Sequence, residues 1–216
     1  MADPARRSAP DFSAGAFRAL ARARLPALLG AAVGDFQFNP GHTDLFMQPA
    51  PRPAAVLVPV VARTPEATLL FTRRTDHLAD HAGQVAFPGG RIDPGDDSPE
   101  AAALRETREE IGLDPRDIDV FARAPDYLTG SGFLITPVLG EVRPDHSLRI
   151  NPNEVIEAFE VPLSFLMDPA NHAVGSRIWR GIRRFYYEMP YEGRQIWGIT
   201  AGIVRVLYEE LYGERP

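Results

Sequence analysis

The stretch SPEAAALRETREEIG at residues 98–112 leaves the backbone little choice. The Ser98 hydroxyl can cap a first turn, and Pro99 suits the first helical position, where a missing N–H goes unmissed. Alanine and leucine fill the middle, and Gly112 can take the left-handed stop. The pattern predicts a helix over 98–111. Its charge is the unusual part. Glu106, Glu109 and Glu110 stand at i, i+3 and i+4, at the negative end of the helix dipole, where like charges repel by about 0.2–0.5 kcal/mol per pair. With Leu104 at zero and about 100° per residue, the three acids fall near about 200, 140 and 240°, and Ala101, Leu104, Arg108 and Ile111 lie within roughly 60° of zero. The wheel predicts a packing face and, opposite it, an acidic face. A solvated charged surface accounts for such a face, and so does a hard divalent cation, Mg²⁺ or Mn²⁺, which prefers oxygen ligands. Gly89 and Gly90 upstream favour the cation, because glycine lets backbone approach closely.

Apolar and β-branched runs predict strands on either side. AAVLVPVVAR and ATLLFTRR read as a hairpin of about 55–63 and 67–74, and QVAFPGG as a short strand or loop edge. DVFARAPDYL and FLITPVLGEV read as further strands, and EVIEAFEVP leads into a short helix at LSFLMD. RRFYYEMPYEGRQIWG has the pattern of a hairpin turning at Glu192 and Gly193. The last helix, TAGIVRVLYEELYG, is expected to be capped by Thr200, with Ile203, Val204, Leu207 and Leu211 on one face. Strands and helices mix without regular βαβ alternation, which points to an α+β or mixed α/β sandwich.

Near the N-terminus, Arg18, Arg22 and Arg24 precede the apolar LPALLGAAVG, loosely like an export signal. That apolar part begins late, contains Pro26 and follows Asp3 and Asp11, so an amphipathic helix is the better reading. Phe17, Leu20, Ala21 and Leu28 share its face, and Pro26 breaks it. Residues 39–53, rich in proline and polar side chains, read as a linker or strap. The expected division is a helical extension with its strap at 1–50 and the main domain at 51–216.

The net charge of −6 argues against broad nucleic-acid binding, which needs clustered cations. A small anionic substrate stays open if arginines or bound cations offset the field locally. There is no cysteine, so disulfides and thiolate chemistry are excluded, and a reducing, cytoplasmic setting is the simplest reading. No apolar run approaches the roughly 20 residues of a membrane-spanning helix. The chain is expected to be soluble, with no membrane partner.

From Gly90 onward the residues resemble the signature of the Nudix hydrolases, G-x5-E-x7-R-E-U-x-E-E-x-G-U, with U bulky and aliphatic. Gly90 matches the first glycine and RETREEIGL the second half, with Thr107 at a bulky position. Asp96 takes the place of the first glutamate, with eight residues instead of seven between it and Arg105; Asp97 restores that spacing and loses the one to Gly90. Upstream, the coenzyme A pyrophosphatase branch carries L-L-T-x-R-S-x3-R-x3-G-x3-F-P-G-G. Leu70, Thr72, Arg74, Gly83 and FPGG at 87–90 fall in place, while Phe71, Thr75 and Ala79 replace a leucine, the serine and the second arginine. The branch is also similar in its extra residue within the box.

The resemblance implies an α/β/α sandwich with a mixed sheet between helices, and hydrolysis of a nucleoside diphosphate linked to another group. For the branch, it implies cleavage of coenzyme A or acyl-CoA to a 4′-phosphopantetheine product and adenosine 3′,5′-bisphosphate. ADP-ribose, NADH, a dinucleoside polyphosphate or a nucleoside triphosphate are the alternatives. A nucleotide-sensing module without catalysis would be expected to have damaged glutamates, and all three are present. By resemblance, Glu106, Glu109 and Glu110 hold Mg²⁺ or Mn²⁺ together with the Gly90 carbonyl, and Arg105 braces the loop through an aspartate. Glu109 is the first candidate for general base and Glu154, in a polar loop, the second. Arg74 and Arg91 are candidates to contact the pyrophosphate or, alternatively, to pair with nearby acids. A homodimer is compatible with the family. His77 and His81 read as locally hydrogen-bonded, since Leu78 stands where a zinc-protease glutamate would. TGSGF at 129–133 reads as a hairpin turn that could border the substrate.

Overall fold

The computed structural model describes residues 10–39, 50–75, 83–179 and 181–213. Among them, in chain order, are α1 (Ala14–Arg24), β1 (Val33–Gly34), β2 (Arg52–Val61), β3 (Thr68–Arg74), β4 (Val85–Ala86), β5 (Gly89–Arg91), α2 (Pro99–Ile111), β6 (Ile118–Arg123), β7 (Tyr127–Leu128) and β8 (Phe133–Val142). Then come β9 (Val155–Pro162), α3 (Leu163–Leu166), β10 (Ala173–Trp179), β11 (Ile182–Tyr191), β12 (Arg194–Trp197) and α4 (Ile199–Leu211). His77 and His81 lie outside the described residues.

Side-chain alternation along β2 sets the layers. Ala55 and Leu57 face α2, packing with Ala102, Ala103 and Val138. Val58 and Val60 face the other way, into a larger core shared with Phe17, Ala21 and Leu25 from the N-terminal segment and Ile203, Val204, Leu207 and Leu211 from α4. A strand covered on both sides needs apolar residues at successive positions, which is why β2 reads as one continuous run. The result is a mixed sheet between helical layers, as the resemblance implied. Arg24 ties α1 to the end of α4 by donating to the carbonyls of Glu210 and Leu211. Among the described residues, no helix is long and apolar enough to cross a membrane.

The sheet forks. β2 and β3 pair as a hairpin only at Val60–Leu69 and Val61–Thr68. β2 runs parallel to β8 along its whole length, from Arg52–Phe133 to Val61–Val142, and beyond the hairpin takes β5 on its other side. β3 turns away to pair with β9 and β4. The fork leaves the Gly89–Gly90 corner between the two branches. A separate three-stranded sheet, β10-β11-β12, contains the expected hairpin, with Glu192 at φ 46° and Gly193 at φ 77° as its turn.

Two local expectations are corrected. α4 starts at Ile199 behind Gly198, without a side-chain cap, because the Thr200 hydroxyl donates instead to the Val85 carbonyl at 3.1 Å. On α2 the buried residues are Ala102, Ala103, Thr107, Glu110 and Ile111, while Arg108 is exposed. The buried face is therefore rotated toward the acids and centred near Glu110. Thr107, at the position where the signature asks for a bulky group, is fully buried and donates to the Ala103 carbonyl at 2.6 Å.

Candidate active site

α2 is anchored at both ends as its sequence requires. The Ser98 hydroxyl accepts from the Ala101 N–H, and Gly112 takes the left-handed C-cap at φ 66°. The last carbonyls are satisfied from outside the helix: Arg149 N–H donates to Ile111 O at 2.7 Å and Asn151 N–H to Glu110 O at 2.9 Å. These bonds bind the acidic end of the helix to the loop that carries Glu154. That loop is held in turn by Asn151, whose amide donates to Glu154 Oε1 at 2.9 Å, and by Thr75, whose N–H donates to the Glu154 carbonyl.

The three helix acids occupy different environments. Glu110 points inward, accepting from the Gly89 N–H at 3.3 Å and from Arg74 Nη1 at 3.3 Å. Burial pushes its carboxyl up to about 7 against the pull of Arg74 and Gly89, with Glu154 and Glu106 adding to the rise. Glu106 is half-buried and is likewise raised, first by burial, with Arg105 opposing. Glu109 is exposed and pairs with Arg105. Gly90 lies so close to Glu106 that a Cβ there would stand 2.5 Å from the Glu106 Cδ, so only glycine fits beside that carboxylate.

Arg105 is the hub. Its Nε and Nη2 grip Asp96 in a two-pronged bond of 3.0 and 2.9 Å, Nη1 donates to Glu106 at 2.9 Å and Glu109 at 3.2 Å, and Nη2 reaches the Arg91 carbonyl at 3.2 Å. This settles which aspartate meets the arginine. Arg105 holds the Asp96 carboxyl down at about 2, whereas Asp97 is exposed. The extra residue of the box falls in the loop before α2, upstream of the three acids.

Among the described residues, no three acidic or imidazole groups converge into a closed cage. Glu106 and Glu109 turn instead toward Arg105. The donor set nevertheless suits a hard divalent cation: carboxylates of Glu106, Glu109, Glu110 and Glu154, and a backbone that meets Glu106 at Gly90. A carboxyl raised by burial, as Glu110 is, gains from any cation able to replace its proton.

A cavity of about 770 Å³ opens beside this cluster. Arg74, Gly89, Gly90 and Arg91 form one wall. Arg91 is exposed and its guanidinium lies 5.8 Å from the Phe133 ring. The TGSGF segment is a turn closed by Thr129 on Phe133, and its Gly130, Ser131 and Phe133 do line the cavity. Sequence reasoning missed the part of the lining that comes from the small sheet, Arg177, Arg184, Tyr186 and Trp197. The signal was the interleaving of arginines with aromatics at 177–197. Asp35 also borders the cavity, accepting from the Tyr127 hydroxyl at 2.5 Å; burial pushes its carboxyl up.

Residues 51–179, more than half of the chain, match the model of the NUDIX domain. The Nudix hydrolase NudL of Photorhabdus laumondii is 41% identical over 160 residues, covering 74% of this chain and 85% of that protein. The NudL of Yersinia pestis is also 41% identical over 160 residues, covering 74% and 80%. A solved structure from Deinococcus radiodurans superposes with a TM-score of 0.48 at 18% identity, over 75% of this chain and 88% of the other.

Proposed function

Since the chain belongs to the Nudix hydrolases, enzymes that use divalent cations to cleave the pyrophosphate of small nucleotide derivatives, we propose that its substrate is coenzyme A or an acyl-CoA. Water adds to one phosphorus and the P–O–P bridge breaks, giving a 4′-phosphopantetheine product and adenosine 3′,5′-bisphosphate. The observation that carries the reading is the cavity. It runs from the glycine corner beside the acids to a wall of arginines and aromatics, and so suits an elongated substrate with a pyrophosphate at one point and a nucleoside beyond it.

Glu106, Glu109, Glu110 and the Gly90 carbonyl would hold Mg²⁺ or Mn²⁺. A bound divalent cation offsets charge developing on the phosphate oxygens and acidifies a water. Glu109, exposed at the mouth of the cluster, accepts the proton of the attacking water; Glu154, already tied to Asn151, is the second choice. Arg91 reaches the pyrophosphate from the cavity wall. Arg74, paired with Glu110, can share its guanidinium between that carboxylate and a phosphate oxygen. Arg105 is a positioning residue that holds loop, strand and helix in register. The catalytic module spans 51–216, with 1–50 as an extension.

One observation favours the alternative of another nucleotide, such as ADP-ribose or NADH. Ala79 replaces an arginine of the upstream coenzyme A signature, so one cation is lost. The test is incubation of the purified chain with Mg²⁺ or Mn²⁺ and coenzyme A, ADP-ribose, NADH or a diadenosine polyphosphate, with products identified by mass. Release of adenosine 3′,5′-bisphosphate from coenzyme A is expected. Turnover of ADP-ribose with none of coenzyme A overturns the substrate, and turnover of no member with cation binding intact turns the reading toward a sensor.

A further inference from the structure

The small sheet presents two different faces. In register, Gly175 stands opposite Tyr186, Arg177 opposite Arg184, and Glu188 opposite Trp197, so these side chains share one face. The other face carries Tyr187, Met189 and Ile196 into the main core. The sheet is thus fixed from behind, while its free face lines the cavity with Arg177, Tyr186 and Trp197.

The geometry of that face is built around rings. Tyr186 lies across β10 at Gly175, where a Cβ would stand 2.8 Å from the ring, so any larger residue at 175 would displace it. Its centroid is 5.3 Å from that of Trp197, and the planes meet at 59°. Arg177, exposed, holds its guanidinium 5.6 Å from the Trp197 centroid. Flat π surfaces are what a nucleobase stacks on, and a guanidinium held against a ring keeps its N–H edge for phosphate oxygens. Tyr186 and Trp197 lie beyond residues 51–179, the segment that matches the NUDIX domain.

We infer that the small sheet is the nucleoside-recognition wall: Tyr186 and Trp197 hold the purine ring and Arg177 takes a ribose 3′-phosphate. This rests on the coenzyme A reading and deepens it by giving the substrate a direction. The adenosine end points toward β10-β12, the pyrophosphate sits at the Gly89–Gly90 corner, and the pantetheine end leaves on the far side.

The test is calorimetric titration of the full chain with adenosine 3′,5′-bisphosphate and with AMP, using Trp197→Ala, Trp197→Phe and Arg177→Ala, each checked for folding by thermal melting. Trp197→Ala should weaken both nucleotides about tenfold or more, and Trp197→Phe, which keeps a ring, should recover most of the loss. Arg177→Ala should weaken adenosine 3′,5′-bisphosphate about tenfold and AMP much less. No binding by the unaltered chain, unchanged affinity in a folded Trp197→Ala, or an equal effect of Arg177→Ala on both nucleotides overturns the inference. Coenzyme A turnover, measured in parallel, separates the two readings. Turnover with nucleotide affinity indifferent to Trp197 and Arg177 sinks the wall and leaves the substrate. Binding that depends on both residues, without coenzyme A turnover, does the reverse.

Discussion

Arg74 at the end of β3 and Glu110 on α2 form an ion pair of 3.3 Å in which the carboxylate is 3% exposed and the guanidinium 27%. The pair is asymmetric. Glu110 is the more deeply buried partner, and Arg74 offsets only part of its desolvation, so the carboxyl still sits at about 7. Arg74 also keeps a buried Nε without a hydrogen-bond partner among the described residues. Both groups are held in states that a phosphate with its cation would relieve.

The raised carboxyl makes stability depend on pH. Folded Glu110 binds its proton more tightly than an ordinary carboxyl at 4.5, so its contribution is complete at low pH and is lost as pH rises through about 7. The full effect is about 3 kcal/mol at most. In EDTA, the melting temperature should fall between pH 5.5 and 8, and Glu110→Gln should flatten that slope. Mg²⁺ should stabilise the unaltered protein more at pH 8 than at pH 6, because the cation competes with a proton. A melting temperature that stays level across this range would sink the prediction.

Asp96 and Asp97 should differ sharply. Asp96→Asn weakens the two-pronged grip on Arg105, which also holds Glu106, Glu109 and the Arg91 carbonyl. Loss of such a supporting partner is worth about 10–100-fold in activity or metal affinity. Asp97→Asn, at an exposed position, should stay within twofold of the unaltered enzyme. Equal effects in a steady-state assay with Mg²⁺ titration would show that Arg105 is not the brace.

Much of this fold was legible in the sequence because local chemistry and tertiary context agree. Ser98, Pro99 and Gly112 delimit α2, and Glu192 with Gly193 turns a hairpin. What escaped depends on distant partners. The pairing of β2 with β8 joins segments far apart in sequence, and β1 and β5 are too short to carry a period. The Thr200 hydroxyl went to a carbonyl of β4 instead of its own helix. The wheel of α2 failed for a similar reason: it sets all three acids opposite the packing face, while Arg74 and the Gly89 N–H draw Glu110 inside. In the candidate site, one contiguous motif carries the helix acids, but the lining from Arg177, Tyr186 and Trp197 comes from another sheet and has no motif to mark it.

The general base can be assigned by comparing two glutamines. Glu109 is 55% exposed, so Glu109→Gln should leave the melting temperature nearly unchanged. It should lower kcat by about 10²–10⁴ if Glu109 takes the proton. Glu154→Gln keeps a side chain able to bond with Asn151 and should cost less than tenfold. A larger loss at Glu154, with Glu109→Gln near full activity, would reverse the assignment.

The neighbouring glycines should fail in different ways when each is changed to alanine. At Gly89, with φ 154°, a Cβ would stand 2.4 Å from the Ala55 carbonyl oxygen and 2.6 Å from the Val56 Cα. Both are backbone atoms of the central strand and cannot yield without disturbing the pairing of β2 with β5. Strain and overpacking together should cost about 2 kcal/mol or more. At Gly90 the three atoms nearest the Cβ all belong to the Glu106 carboxylate, at 2.5–2.7 Å, and a glutamate side chain can swing away. Gly90→Ala should therefore melt within a few degrees of the unaltered protein yet lose most of its activity, because Glu106 moves off the corner. The decisive measurement is melting and Mg²⁺-dependent turnover on both variants. If Gly90→Ala stays active, or loses as much stability as Gly89→Ala, the close approach of Glu106 to Gly90 is not what organises the site.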